Sequence, residues 1–252
     1  MQDHDKLKSE LLSFGEYFKL AGKAFGALFA VLLPILIVIF IPVSVLLSLV
    51  PNDYFSLVLT EESINAASEI WRRFQLYILY VMGIRIFFLV FVVSAVTLTL
   101  DLWINGKEVS TISTKALFSQ TAEKWWKLMA TAFLFNLIIY LSFSFIIFLI
   151  YMGIIFFFAV NSAAITDKWG ISAMRYSMRL IRGKWLRTFC VIAAVIAAEF
   201  FVSQFITAGL YILGFSANNI AAVTALTISQ IICVYFTILT ALVFLNYHLL
   251  SI

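Results

Sequence analysis

The sequence predicts an all-α polytopic membrane protein with six transmembrane helices. Of the 252 residues, 63% are hydrophobic and only 12% are charged, whereas soluble domains carry about 25% charged residues. Several apolar runs exceed the roughly 20 residues that a helix needs to cross a bilayer. The chain has only three prolines and no Ser-rich linker, so we expect one integral membrane domain over residues 1–252.

The N-terminal segment is polar and is followed by the first apolar run. Residues 6–23 have mixed charge and are predicted to form a helix that approaches the membrane surface. Residues 24–50 are too long for the core of a signal peptide, so they are predicted to be the first span. Pro34 and Pro42 lie inside this run and are expected to kink its helix.

The second span is predicted at residues 74–100, after an acidic outer loop at residues 51–73. Residues 101–127 are polar. Their sequence NGKEVSTIST indicates a turn that leads into a helix, and that helix is expected to end at Trp125 and Trp126, since tryptophan prefers the membrane interface.

The apolar block at residues 128–166 is too long for one crossing. As one helix its 39 residues would extend about 58 Å, against a hydrocarbon core of about 30 Å. We therefore expect two short helices that turn near Tyr151, Met152 and Gly153. The six predicted spans are 24–50, 74–100, 128–148, 150–166, 188–213 and 220–245.

The distribution of basic residues predicts the orientation. In this topology fourteen of the seventeen lysines and arginines lie on one side of the membrane, and only Arg72 and Arg73 lie on the other. Because basic loops stay in the cytoplasm, both termini are expected to be cytoplasmic. Arg85 is the remaining basic residue and falls within the second span.

The segment at residues 167–187 combines basic residues with an apolar stripe. Read as a helix, it aligns Ile171, Met174, Met178, Ile181 and Trp185 on one face. Such a helix can lie on the anionic leaflet with its apolar stripe in the acyl boundary. Alternatively, the charges only set topology on a solvated loop. The residues predicted to bind lipid head groups are Arg175, Arg179, Arg182, Lys184 and Arg187.

Arg85 and Glu199 form a candidate intramembrane polar site. A charge at the bilayer centre costs about 2.5–3.5 kcal/mol or more, so such residues usually face the interior of the bundle. By helical rise, each lies about 16 Å from the start of its predicted span, and we expect them to form an ion pair. This pair is either a structural clasp or a site for a head group or proton. Asn136, Asn161, Gln204 and Gln230 are candidates to extend it, and the alternative is that each forms a hydrogen bond between helices.

The sequence contains no recognisable catalytic motif. It lacks GxSxG, HExxH and a Gly-rich phosphate loop. Cys190 and Cys233 lie in apolar runs without the spacing of a disulfide or metal pair, and the two histidines lie near the termini. We therefore expect no enzymatic activity, no cofactor, no metal site and no nucleic-acid partner.

The block FAVNSAAITDKWGISAMRYSMRLIRGKW resembles the YciC family of bacterial inner-membrane proteins, which is related to the membrane domain of some glycerophosphodiester phosphodiesterases. The resemblance implies a multi-pass protein of the bacterial inner membrane, without the phosphodiesterase catalytic domain. The residues that match the family pattern are Asp167, Lys168, Gly170, Met174, Arg175, Ser177, Met178, Arg179 and Leu180.

Together these features predict a non-enzymatic inner-membrane protein that binds lipid and supports envelope or phospholipid homeostasis, for example by moving an amphiphile. The first alternative is a secondary transporter of a small solute. The second is a membrane scaffold subunit that binds another protein or a second copy of itself.

Overall fold

The computed structural model describes residues 2–48, 76, 79–142, 145–212 and 219–251, which are helical apart from short connections and contain no strand. The predicted outer loop at 51–73 lies outside these described residues. The helices are α1 (Gln2–Ser9), α2 (Phe14–Ser48), α3 (Leu79–Ile104), α4 (Thr114–Ser142), α5 (Ile146–Phe156), α6 (Ala159–Ile165), α7 (Ile171–Ile181), α8 (Trp185–Ile212) and α9 (Asn219–Leu249).

Within the described part of the chain, six helical segments are long and apolar enough to cross a membrane. The prediction of an all-α polytopic membrane protein with six transmembrane helices is therefore confirmed. The candidate spans are α2, α3, α4, α5 together with α6, and most of α8 and of α9.

The helix that contains the first predicted span begins before that span. Helix α2 starts at Phe14 rather than at residue 24 and runs without interruption past both prolines. Its first turns are amphipathic, with Tyr17 and Leu20 buried while Lys19 and Lys23 are exposed. Because this pattern has the helical period, the polar N-terminal turns continue the membrane helix rather than preceding it.

Hydrogen bonds hold the N-terminal segment against the end of α9. The Asn246 side chain is fully buried, and its Nδ2 atom donates hydrogen bonds to the carbonyls of Leu7 (2.6 Å) and Glu10 (2.8 Å). Its Oδ1 atom accepts one from the Tyr17 hydroxyl at 2.6 Å. These bonds satisfy both ends of a buried amide and hold α1 and the start of α2 against α9.

The turn predicted after α3 is confirmed, since α3 ends at Ile104 and Gly106 adopts a left-handed conformation with φ of 83°. The helix that follows does not end at Trp125 and Trp126, as was predicted, but continues to Ser142.

The polar first half of α4 packs alongside α3 instead of lying beyond its end. The Trp125 indole N–H donates to the Phe87 carbonyl at 3.0 Å, and the rings of Phe118 and Phe91 are 4.9 Å apart. Phe87 lies in a π-helical turn, Arg85–Leu89, where the regular α-helical hydrogen-bond pattern is interrupted. The indole therefore supplies a partner to a carbonyl at this irregular turn.

The turn in the apolar block lies earlier than predicted. Helix α4 ends at Ser142, whose carbonyl accepts a hydrogen bond from the Phe145 N–H at 3.0 Å, and Phe145 is extended. Tyr151, Met152 and Gly153 lie inside α5, so the predicted turn there is wrong. Gly153 instead faces α4, where a Cβ atom would lie 3.6 Å from Ile139 Cδ1. Serine is a frequent turn residue, so Ser142 was the feature of the sequence that indicated the turn.

A second interruption separates α5 from α6 at Phe157 and Phe158. The buried Ser177 hydroxyl of α7 bridges it: Oγ donates to the Ile155 carbonyl at 2.7 Å and accepts from the Phe158 N–H at 3.2 Å. Unpaired backbone groups are costly away from water. Ser177 therefore stabilises the broken helix and fixes α7 against it.

We predict that Ser177→Ala destabilises the protein by about 2–3 kcal/mol, because it leaves a buried carbonyl and a buried N–H without partners. Unfolding midpoints in one detergent measure the loss. Ser119→Ala is the matched control, since Ser119 is exposed and bonds only Glu123, and it should change stability by less than about 0.5 kcal/mol. Equal effects of the two substitutions would contradict the bridging role.

Candidate functional site

Helix α7 has one face against the protein and one face free of it. Its buried residues are Ala173, Met174, Ser177, Leu180 and Ile181. They contact α4, α5 and α6, with a smaller contact to α9. The opposite side is exposed, so the helix is docked on the bundle rather than held away from it. We call the exposed side the α7 surface, formed by Ile171, Arg175, Met178, Arg179 and Arg182.

The predicted apolar stripe is only partly correct. Met174 and Ile181 are 3% and 1% exposed and pack inside the protein, so they do not reach the acyl boundary. Ile171 and Met178 are 61% and 43% exposed and do face outward. Helical periodicity groups apolar residues, but it does not say whether lipid or protein covers them. Ala173 and Ser177 are small, so this side of α7 can pack closely against the bundle.

The three arginines predicted to bind head groups are together on the α7 surface. Arg175, Arg179 and Arg182 are all exposed. The Arg179 guanidinium lies 5.7 Å from the centre of the Tyr176 ring, and the Lys168 ammonium lies 4.2 Å from the same ring. Such contacts hold cations over an aromatic face. The surface thus combines three exposed guanidinium groups with two exposed apolar side chains.

Lys184 and Arg187, the other two predicted head-group residues, contact the protein instead. The Lys184 ammonium lies 4.6 Å from the Tyr247 ring centre, and burial, with Arg187 nearby, lowers the pKa of Lys184 below its usual value. The Arg187 guanidinium donates to the Leu12 carbonyl. Both residues therefore join the start of α8 to α9 and the N-terminal segment.

A cavity of about 340 Å³ lies between α2, α3, α8 and α9. Its wall is mainly apolar, with a band of polar side chains from α8 and α9. We call it the chamber. Its polar lining residues are Glu199, Ser203, Ser229, Gln230, Cys233 and Thr237, and the apolar ones include Phe40, Leu47, Val81, Ile84 and Val93.

The residues predicted to form the intramembrane polar site do not all lie together in the structure. Glu199 is exposed and lines the chamber, as does Ile84, the neighbour of Arg85. The side chain of Arg85 lies outside the described side chains, so its pairing with Glu199 stays a prediction. Gln204 is exposed and does not line the chamber. Asn136 lies on α4 and donates to the Ala132 carbonyl of its own helix at 2.8 Å.

Glu199 and Gln230 were predicted members of a polar site, whereas the other polar residues of the chamber were missed. Ser229, Cys233 and Thr237 recur at intervals of four, which places them on one helix face, and Gln230 lies beside them. The Ser203 and Ser229 hydroxyl oxygens are 3.4 Å apart across α8 and α9. The Gln230 Oε1 atom is buried and has no hydrogen-bond partner within the described part of the chain. The four-residue interval in the sequence indicated a polar helix face, but Ser229, Cys233 and Thr237 are uncharged and so did not attract attention as an intramembrane site.

Comparison of the chain with protein-family models, curated proteins and solved structures finds no match. The fold and the two candidate sites therefore rest on the geometry described above, and the resemblance to the YciC family stays a prediction.

We predict that Glu199→Gln destabilises the protein more than Arg85→Gln does. If the two groups pair within the membrane, removing one leaves the other uncompensated in a low-dielectric medium, which costs up to roughly 3–5 kcal/mol. Glutamate can then take a proton, whereas arginine stays charged because its pKa exceeds about 12. The double variant should recover much of the loss caused by Glu199→Gln.

Thermal unfolding of the four proteins in one detergent measures this cycle. Additive losses would show that Arg85 and Glu199 do not interact. If the double variant regains stability but not function, the pair is a functional site; if it regains both, the pair is a structural clasp.

Proposed function

We propose that this chain is a non-enzymatic multi-pass inner-membrane protein that binds anionic lipid through the α7 surface and supports envelope or phospholipid homeostasis. The observation that carries the proposal is the exposed grouping of Arg175, Arg179 and Arg182 beside Ile171 and Met178 on a docked helix.

The physical chemistry of the α7 surface suits a membrane interface. Guanidinium groups form paired hydrogen bonds with phosphate oxygens, and each basic residue near an anionic leaflet contributes about 1 kcal/mol. Ile171 and Met178 can enter the acyl boundary beside them. Because the Ser177 bridge orients α7, its arginines are arranged before a lipid binds, which lowers the entropic cost of binding.

The proposal places the α7 surface and both termini on the cytoplasmic side of a bacterial inner membrane. The predicted excess of lysine and arginine on one side supports this orientation, and the resemblance of residues 158–185 to the YciC family supports the location. Anionic lipid is abundant on that leaflet. In this arrangement the bound lipid lies beside the bundle, where the protein could move an amphiphile.

A secondary transporter of a small solute is the second candidate, and the chamber favours it. The chamber lies among four membrane helices and includes the ionisable Glu199. Ionisable groups inside membrane proteins usually mark sites for substrates, ions or protons. The chamber and the α7 surface share no residue, so the two candidates can be tested separately.

The lipid proposal is tested by combining Arg175→Gln, Arg179→Gln and Arg182→Gln. Together the three arginines should contribute about 3 kcal/mol to anionic lipid binding, so the variant should bind on the order of 100-fold more weakly. The protein is reconstituted in nanodiscs with mixed phosphatidylglycerol and phosphatidylcholine, released into mild detergent, and its retained lipids are counted by native mass spectrometry.

The matched control combines Lys107→Gln, Lys115→Gln and Lys127→Gln, which remove the same charge from exposed positions outside α7. This control should keep its phosphatidylglycerol, while the arginine variant should lose it and retain its phosphatidylcholine. Equal phosphatidylglycerol retention in the wild type and the arginine variant would overturn the proposal.

A further inference from the structure

The chamber has features of a hydrated site. Its volume of about 340 Å³ is far above the roughly 10–15 Å³ that one water molecule needs. Polar atoms from Ser203, Ser229, Gln230 and Thr237 line it, and a buried water typically bonds two to four such partners. An empty cavity of this kind would leave polar groups unsolvated, whereas stable empty cavities are apolar.

Gln230 provides an independent indication that the chamber is occupied. Its Oε1 atom is buried and has no hydrogen-bond partner among the described residues. A buried amide oxygen without a donor is costly, and natural proteins usually satisfy such groups with protein or water. Gln230 lines the chamber and its side chain is partly exposed, so rotation of its amide would bring this oxygen to a hydrogen-bond donor inside the chamber.

The two ends of the chamber differ in the residues around them. Beyond Thr237, toward α7, residues Ile238 and Leu239 of α9 are completely buried, as is Val96 of α3. At the other end the lining includes Leu47, next to the last residue of α2, and Val81 near the start of α3. We call this the loop side of the chamber, because α2 ends and α3 begins there.

We infer that the chamber is a water-filled site that admits small hydrogen-bond-donating solutes from the loop side to Gln230 and Glu199. The inference goes beyond lipid binding and does not rest on it, because α7 contributes no residue to the chamber. It also gives Glu199 a route for proton exchange with the aqueous phase, through water hydrogen-bonded to the serine hydroxyls of α8 and α9.

Cysteine labelling in intact membranes tests the chamber. Ser203→Cys and Ser229→Cys are nearly isosteric changes and are made separately in protein that carries Cys190→Ser and Cys233→Ser. The matched control is Phe205→Cys, two residues from Ser203 on the same helix but 84% exposed on the outside of the bundle. The probe is a membrane-impermeant trimethylammonium methanethiosulfonate, added to right-side-out or inside-out vesicles.

The probe is charged and is excluded from hydrocarbon, and it reacts with thiolate, which forms in water. Added from the loop side, it should label both chamber cysteines at least about tenfold faster than the control. A lipid-soluble maleimide should label the control, which shows that its thiol is intact. Hydrophilic labelling of the chamber cysteines no faster than that of the control would overturn the hydrated chamber, and labelling only from the α7 side would overturn its entrance.

Discussion

The requirement that backbone polar groups find partners away from water shapes the middle of this protein. The apolar block after α4 is too long to cross the bilayer once, so its helix must be broken. Each break exposes backbone groups that lipid cannot solvate. Ser177 pairs the Ile155 carbonyl and the Phe158 N–H, and in doing so it attaches α7 to the helix that it stabilises.

This attachment has consequences for function. With Ser177 buried, the neighbouring Ala173, Leu180 and Ile181 are buried as well, and the arginines must face outward. The same bond that stabilises the break therefore determines which side of α7 can meet lipid.

The chamber also lies next to irregular backbone. The π-helical turn Arg85–Leu89 widens α3 beside it, and π-helical turns are frequent at functional sites. Both candidate sites thus lie beside irregular backbone.

The composition and the lengths of the apolar runs were sufficient to predict the fold class, because a membrane helix needs only length and low charge. Other features depend on partners distant in the chain. The turn was predicted near Gly153 but follows Ser142. Gly153 packs against Ile139 inside the bundle, and the local sequence does not show that contact. The prediction that Met174 faces lipid was wrong, because periodicity does not distinguish lipid from protein. The polar wall of the chamber forms only where α8 meets α9.

The central claim is that α7 lies at the membrane interface with Met178 toward the acyl region. Electron paramagnetic resonance of a spin label at Met178→Cys tests it in vesicles, against a label at the exposed turn residue Lys107→Cys, with Cys190 and Cys233 replaced by serine. Collisions with oxygen, which concentrates in hydrocarbon, should dominate at residue 178, and collisions with a water-soluble nickel chelate should dominate at residue 107. Equal access of the nickel chelate to both labels would contradict the account, because α7 would then lie on a solvated loop.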